Sequence, residues 1–173
     1  MKRIIGIAAI SIMIALAGQS TIAQNLKFGH INSDELIQAL PQFIVANDSL
    51  ESFRQELINA LELLSVELNN KSDAYQKEMK NLSAIVRQNK EQELVDMQRR
   101  IQEFQTNAQE QLQTRQAELF QPVMATVDKA IKDVGKENGF TYIFDVAKGS
   151  LLYFDTTKST DVMALAKAKL GIK

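Results

Sequence analysis

The chain is 173 residues long and carries 20 basic and 21 acidic side chains, one histidine, no cysteine and no tryptophan. So even a balance gives no global case for nucleic-acid binding. With no cysteine and a single histidine, the composition also excludes a disulfide scaffold and disfavours a transition-metal site.

Met1-Lys2-Arg3 is followed by an almost unbroken apolar run from Ile4 to Ala17 and then by a small-x-Ala ending at Thr21 and Ala23. Two cations, a short apolar stretch and that ending read as a secretory signal peptide over residues 1–23, with the mature chain starting at Gln24. The run is shorter than the roughly 20 residues that span a bilayer. Its removal takes Lys2 and Arg3 with it and leaves a net charge of −3. The remainder is expected to work across a membrane, away from ATP.

Leu26-Lys27-Phe28-Gly29-His30-Ile31 alternates like a short strand, with Leu26, Phe28 and His30 on one face. Asn32 followed by Glu35 resembles a capping box, which predicts a short helix from Ser33 to Leu40 that stops before Pro41. From about Ile44 no proline or glycine appears until Pro122. Within this stretch Leu50, Phe53, Leu57, Leu61, Leu64, Leu68, Tyr75, Met79, Leu82 and Val86 recur at steps of three and four, skipping once at Lys71. That period suits a nearly straight helix with one apolar stripe. The pattern lapses through residues 87–93 and resumes with Leu94, Met97, Ile101, Phe104, Ala108, Leu112 and Leu119. Two stripes either side of a polar break predict an antiparallel helical hairpin that reverses at 87–93. The alternative is one continuous helix of nearly 80 residues in a parallel coiled coil.

Pro122 is read as the start of a fresh amphipathic helix through Val123, Val127, Ala130, Ile131 and Val134, closed by Asn138-Gly139 as a C-cap. Phe140 to Val146 and Leu151 to Asp155, either side of a turn containing Gly149, are predicted to pair as a β-hairpin. Thr160-Asp161 then caps a last helix through Met163, Leu165, Ala166 and Leu170. The fold class is therefore α+β, mainly α. A small three-stranded body is made by residues 24–42 and 120–173, and a helical-hairpin arm by 43–119. A body this small is marginal alone and its sheet has open edges, so copies are expected to pair strand to strand.

Reactive groups are scarce. His30 shares its strand face with apolar residues and is given a structural role, and Asp145 and Asp155 are read as solvated strand ends. No nucleophile elbow, phosphate loop or dinucleotide fingerprint occurs. No catalytic residue, metal site or cofactor is assigned, and an enzyme is not expected.

The arm carries more information. Taking the stripe as zero and about 100° per residue, Val45 and Leu63 fall near 220° and Val66 near 160°, pointing away from the seam. Ile58 and Val95 deviate less, and Ile85 lies near the tip. These six residues are candidates for a dilute apolar lining that holds an apolar chain weakly at many points. Charge is uneven too. Residues 43–70 are net −4, whereas 71–100 are net +2 through Lys71, Lys77, Lys80, Arg87, Lys90, Arg99 and Arg100. A cationic tip is a candidate for weak contact with acidic lipid head groups or acidic client segments.

The order of these elements resembles the Skp family, the OmpH-like periplasmic chaperones. The motifs that carry the resemblance are Lys27-Phe28-Gly29-His30-Ile31-Asn32, then Gln121-Pro122-Val123 through Lys136-Glu137-Asn138-Gly139-Phe140. Leu152-Tyr153-Phe154-Asp155 and Ser159-Thr160-Asp161-Val162 complete them. The resemblance implies a homotrimer whose strands build a central β-barrel, with three arms hanging around a cavity. It further implies ATP-independent holding of unfolded outer-membrane proteins in the periplasm. Better-known relatives are basic, so at net −3 no lipopolysaccharide site is carried over. A structural coiled-coil spacer or adaptor is the competing reading.

Overall fold

The computed structural model describes residues 26–149 and 151–172, so the signal peptide and the Gln24 start lie outside the described residues. Strand β1 (Phe28–Ile31) leads into helix α1 (Ser33–Gln38). The side chain of Asn32 accepts from the amide of Glu35 at 3.2 Å, and Asp34 and Glu35 in the first turn complement the positive end of the helix dipole. Extended backbone at Leu40, forced by the following ring, lets Pro41 open helix α2 (Pro41–Glu78), where its missing N–H costs no bond. At about 1.5 Å per residue α2 reaches roughly 57 Å. A 3₁₀ turn (Met79–Asn81) then reverses the chain into helix α3 (Ala84–Glu137), with the Ser83 side chain accepting from the amide of Val86.

The chain therefore does double back, but at residues 79–83 rather than at 87–93. The polar stretch that suggested a turn is helical. Within it Lys90, Glu91 and Glu93 meet polar partners on α2, as described below.

A second correction concerns Pro122, which lies inside α3 and starts no new helix. Leu112, Leu119, Val123, Val127, Ala130 and Val134 continue one stripe across the proline, so breaking the helix there would sacrifice packing on both sides. Val123, Val127 and Val134 are at most 5% exposed. Burying such side chains contributes about 1.5–3 kcal/mol each, which offsets the roughly 3 kcal/mol of an interior proline. The hydroxyl of Thr126 also donates to the Pro122 carbonyl at 2.9 Å. Arm and body thus share one continuous helix. α3 ends as expected: Gly139 takes φ +68°, and the amide of Phe140 reaches back to the carbonyl of Gly135 at 3.0 Å.

The predicted β-hairpin is not formed. Strand β2 (Tyr142–Asp145) and strand β3 (Ser159–Asp161) lie on opposite sides of β1, both parallel to it, in the order β2-β1-β3. Residues 151–155 are in no strand. Parallel neighbours need a crossover, and here the crossover between β1 and β2 is the whole arm. The short helix α4 (Met163–Leu170) follows, its start supported by Asp161 Oδ1, which accepts from the amide of Met163 at 2.8 Å, and its end closed by Gly171 at φ +71°.

The sheet turns Gly29 and Ile31 toward α1, α3 and α4, over a core that includes Leu36, Leu40, Val162 and Ala166. Gly29 is needed for close approach, since a Cβ there would stand 3.1 Å from both Phe140 and Val162. Gly29→Ala is therefore expected to cost about 1–3 kcal/mol by overpacking, measured as a lower denaturation midpoint with unchanged helical signal.

Among the described residues no helix lies over the opposite face of the sheet. Phe28, Tyr142 and Phe144 stack there with centroids 6.0–6.3 Å apart, and His30 meets Phe154 at 4.7 Å while its Nδ1 lies 2.9 Å from the hydroxyl of Ser159. The His30 face is thus the uncovered one.

Candidate functional site

The arm is a seam with two chemistries. From the body outward, Phe53, Leu57, Leu61, Leu64 and Leu68 of α2 are half-buried opposite Ile101, Phe104, Ala108 and Leu112 of α3, with Met97 fully buried. Phe43 and Phe120 close the base with ring centroids 5.5 Å apart. Beyond Leu68 the cross-seam contacts become polar. Lys71 pairs with Glu93, the hydroxyl of Tyr75 donates to Glu91, and Lys90 stands 3.5 Å from Glu78. Met79 and Val86, stripe members by sequence, are exposed.

These pairs shift their own titrations. The Glu93 bond raises the Lys71 ammonium above its ordinary value, and the same bond holds the Glu93 carboxyl below the usual range. The bond to Glu91 pushes the Tyr75 hydroxyl up. All of these groups remain in contact with solvent, so screening keeps each pair weak.

All six candidate lining residues are exposed. Leu63 is 72%, Ile85 71%, Val45 65%, Val95 56%, and Ile58 and Val66 47% exposed. The register set by Phe43 against Phe120 and Lys71 against Glu93 levels Val95 with residues 68–69 of α2. Leu63, Val66 and Val95 therefore share one zone of the arm, with Ile58 just below it. Val45 stands apart at the base and Ile85 at the tip. Exposure of this kind was legible from the helical angle because α2 is one uninterrupted helix.

Among the basic residues, the turn at 79–83 gathers Lys77, Lys80, Arg87 and Lys90 around the tip. Arg99 and Arg100 lie some 15 residues along α3, about 22 Å from its start, and Lys71 is level with Glu93 rather than at the end. Lys71, Lys90 and Arg99 are held in ion pairs, whereas Lys77, Lys80, Arg87 and Arg100 make none among the described residues. Exposed Met79, Ile85 and Val86 stand between the tip cations.

In the body, the two carboxylates flagged by sequence are occupied. Asp145 accepts from the hydroxyl of Ser33 at 2.5 Å, from the amide of Ser33 at 3.1 Å and from the amide of Ala147 at 3.1 Å. Burial alone would push its carboxyl up, but these bonds, with Lys148, outweigh burial and hold it below its ordinary value. Asp155 accepts from the hydroxyl and amide of Thr157 and is likewise lowered. Both pin the backbone. What sequence reasoning missed is this anchoring role of Asp145, for which the only local signal was a buried-side serine at the start of α1.

The body also exposes apolar groups. Leu152 is 100% and Tyr153 83% exposed, beside the aromatic sheet face.

The family model described as outer membrane protein, OmpH-like, matches residues 27–170, which takes in every described strand and helix. No curated protein matches the chain. A strand–arm–strand body with a long helical hairpin, matched over nearly its whole described length, makes this chain a member of the OmpH-like, or Skp, family, which includes periplasmic chaperones of outer-membrane proteins.

Proposed function

We propose that this protein is an ATP-independent periplasmic holdase that encloses unfolded outer-membrane proteins between helical arms and keeps them from aggregating. The observation that carries the reading is the zone of exposed apolar side chains Leu63, Val66 and Val95 on a helical pair whose seam is already filled. An unfolded outer-membrane β-strand alternates apolar and polar residues, so it offers one apolar contact at every second position. Contacts worth about 1 kcal/mol or less each hold such a chain loosely, and their number multiplies the retention. Net −4 on the proximal arm discourages stable docking of acidic segments, and release needs only a better-binding partner rather than fuel. Diluting a urea-unfolded outer-membrane β-barrel protein into buffer with and without this protein tests the reading by light scattering. Suppressed scattering supports it, and unchanged scattering with saturable binding to one folded partner would favour a spacer or adaptor.

Enclosure needs several arms, and the body supplies a reason for copies to assemble. Among its described residues the body carries the face of Phe28, Tyr142 and Phe144 that no helix covers, outer edges of β2 and β3 that pair with no described strand, and the exposed Leu152 and Tyr153. Family membership favours a trimer closed into a β-barrel. Leu152→Asp with Tyr153→Asp is expected to convert the assembly to monomer, read as roughly a threefold fall in mass by light scattering on a sizing column. An unchanged mass would remove this face from the interface.

The exposed Met79, Ile85 and Val86 among Lys77, Lys80 and Arg87 favour weak contact of the tip with an anionic membrane surface. No nucleic acid and no cofactor enters this scheme.

A further inference from the structure

The seam of the arm changes chemistry at one level, and that change has a mechanical consequence. Proximal to Met97 the two helices are joined by interlocking apolar side chains that salt does not weaken. Distal to it the joints across the seam are Lys71 with Glu93, Tyr75 with Glu91, and Lys90 with Glu78. Their side chains are 38–58% exposed, within reach of counter-ions. Apolar closure is thinner here: of the stripe Tyr75, Leu82 and Leu94 stay half-buried, while Met79 and Val86 are more than a third exposed.

We infer that the outer third of the arm, from Lys71 to Glu93, is an ionic latch that opens and closes independently of the proximal arm. Opening separates the end of α2 from the start of α3 while the Phe53–Leu68 seam stays shut. The exposed zone at Leu63, Val66 and Val95 lies just proximal to the latch, so an open latch widens the approach to it. That use rests on the holding role, but the latch itself does not.

The latch is tested on the full chain by distance measurement between paired spin labels. The protein has no cysteine, so labels go only where they are introduced. Gln76→Cys with Gln88→Cys reports the distal arm, and Gln55→Cys with Gln111→Cys reports the proximal arm; all four positions are exposed. Raising ionic strength from about 0.01 to 1 M, which shortens the Debye length from about 30 to 3 Å, is expected to broaden and lengthen the 76–88 distribution and leave 55–111 unchanged. Glu93→Lys is expected to raise the open-to-closed ratio at low salt about fivefold. Combining it with Lys71→Glu restores an opposite-charge pair and is expected to move the ratio back toward the starting protein. If a charge variant fails to fold, the salt series on the parent pairs decides alone. A 76–88 distance indifferent to salt overturns the latch. So does a 55–111 distance that widens together with it, because the arm would then open as one piece. No recovery in the double variant would also overturn it.

Discussion

Leu63→Asp combined with Val66→Asp is expected to weaken retention of an unfolded outer-membrane protein by at least about tenfold while the arm stays helical. Both side chains point away from the seam and are exposed, Leu63 more than Val66, so neither substitution opens a cavity. Aspartate inside a helix costs only about half a kcal/mol relative to a good helix former, which a helix as long as α2 tolerates. The loss falls on the client side. Each replacement removes an apolar contact worth about 1 kcal/mol and puts a charge where an apolar segment would lie. If several copies surround one client, every copy loses both contacts, and retention falls multiplicatively. Client aggregation followed by light scattering, with far-ultraviolet circular dichroism alongside, reads both halves. Full protection by a helical double variant would sink the apolar-lining account.

Asp145→Ala is expected to destabilise the body by about 2–4 kcal/mol, lowering its melting temperature by roughly 5–15 °C. Ser33 is only 6% exposed, and both its hydroxyl and its amide depend on this carboxylate. Truncation leaves two buried donors without an acceptor at the point where α1 is tied to the end of β2. Asp145→Asn retains one carbonyl oxygen and should cost less, which separates loss of an acceptor from loss of charge. The carboxyl sits below its ordinary value of 3.8, so its contribution is present in full above that value and drains away as pH falls through the lowered one. Thermal melts between about pH 5 and pH 2 should therefore show a stability loss on acidification that is smaller in Asp145→Asn. Equal acid sensitivity in both proteins would show that other carboxylates govern the loss.

The local features were legible because their causes are local. Asn32 with Glu35, Asn138-Gly139 and Asp161 before Met163 each satisfy helix-end groups within a few residues, although the Asn32–Glu35 box is made only from the Asn32 side and the last helix starts after Val162 rather than directly after Asp161. The two apolar stripes likewise revealed a helical pair. The reversal was misplaced because a lapse in apolar pattern has two causes, a turn or a polar joint between helices. Only the partner of Glu91 and Glu93 distinguishes them. Pro122 misled for a related reason, since its local penalty is outweighed by Val123, Val127 and Val134 packing on a core assembled from both ends of the chain.

Sequence alone thus determined the helical arm, its exposed apolar positions and the caps, all of which follow from the 3.6-residue period and neighbours one turn away. The sheet lay beyond its reach. Ser159–Asp161 has no apolar alternation to announce a strand and becomes one by docking parallel to β1, more than a hundred residues earlier, while residues 151–155, which look like a strand, find no partner within the described chain. Pairing across that distance depends on which backbone edges the packed core brings side by side, and no window of neighbouring residues contains that information.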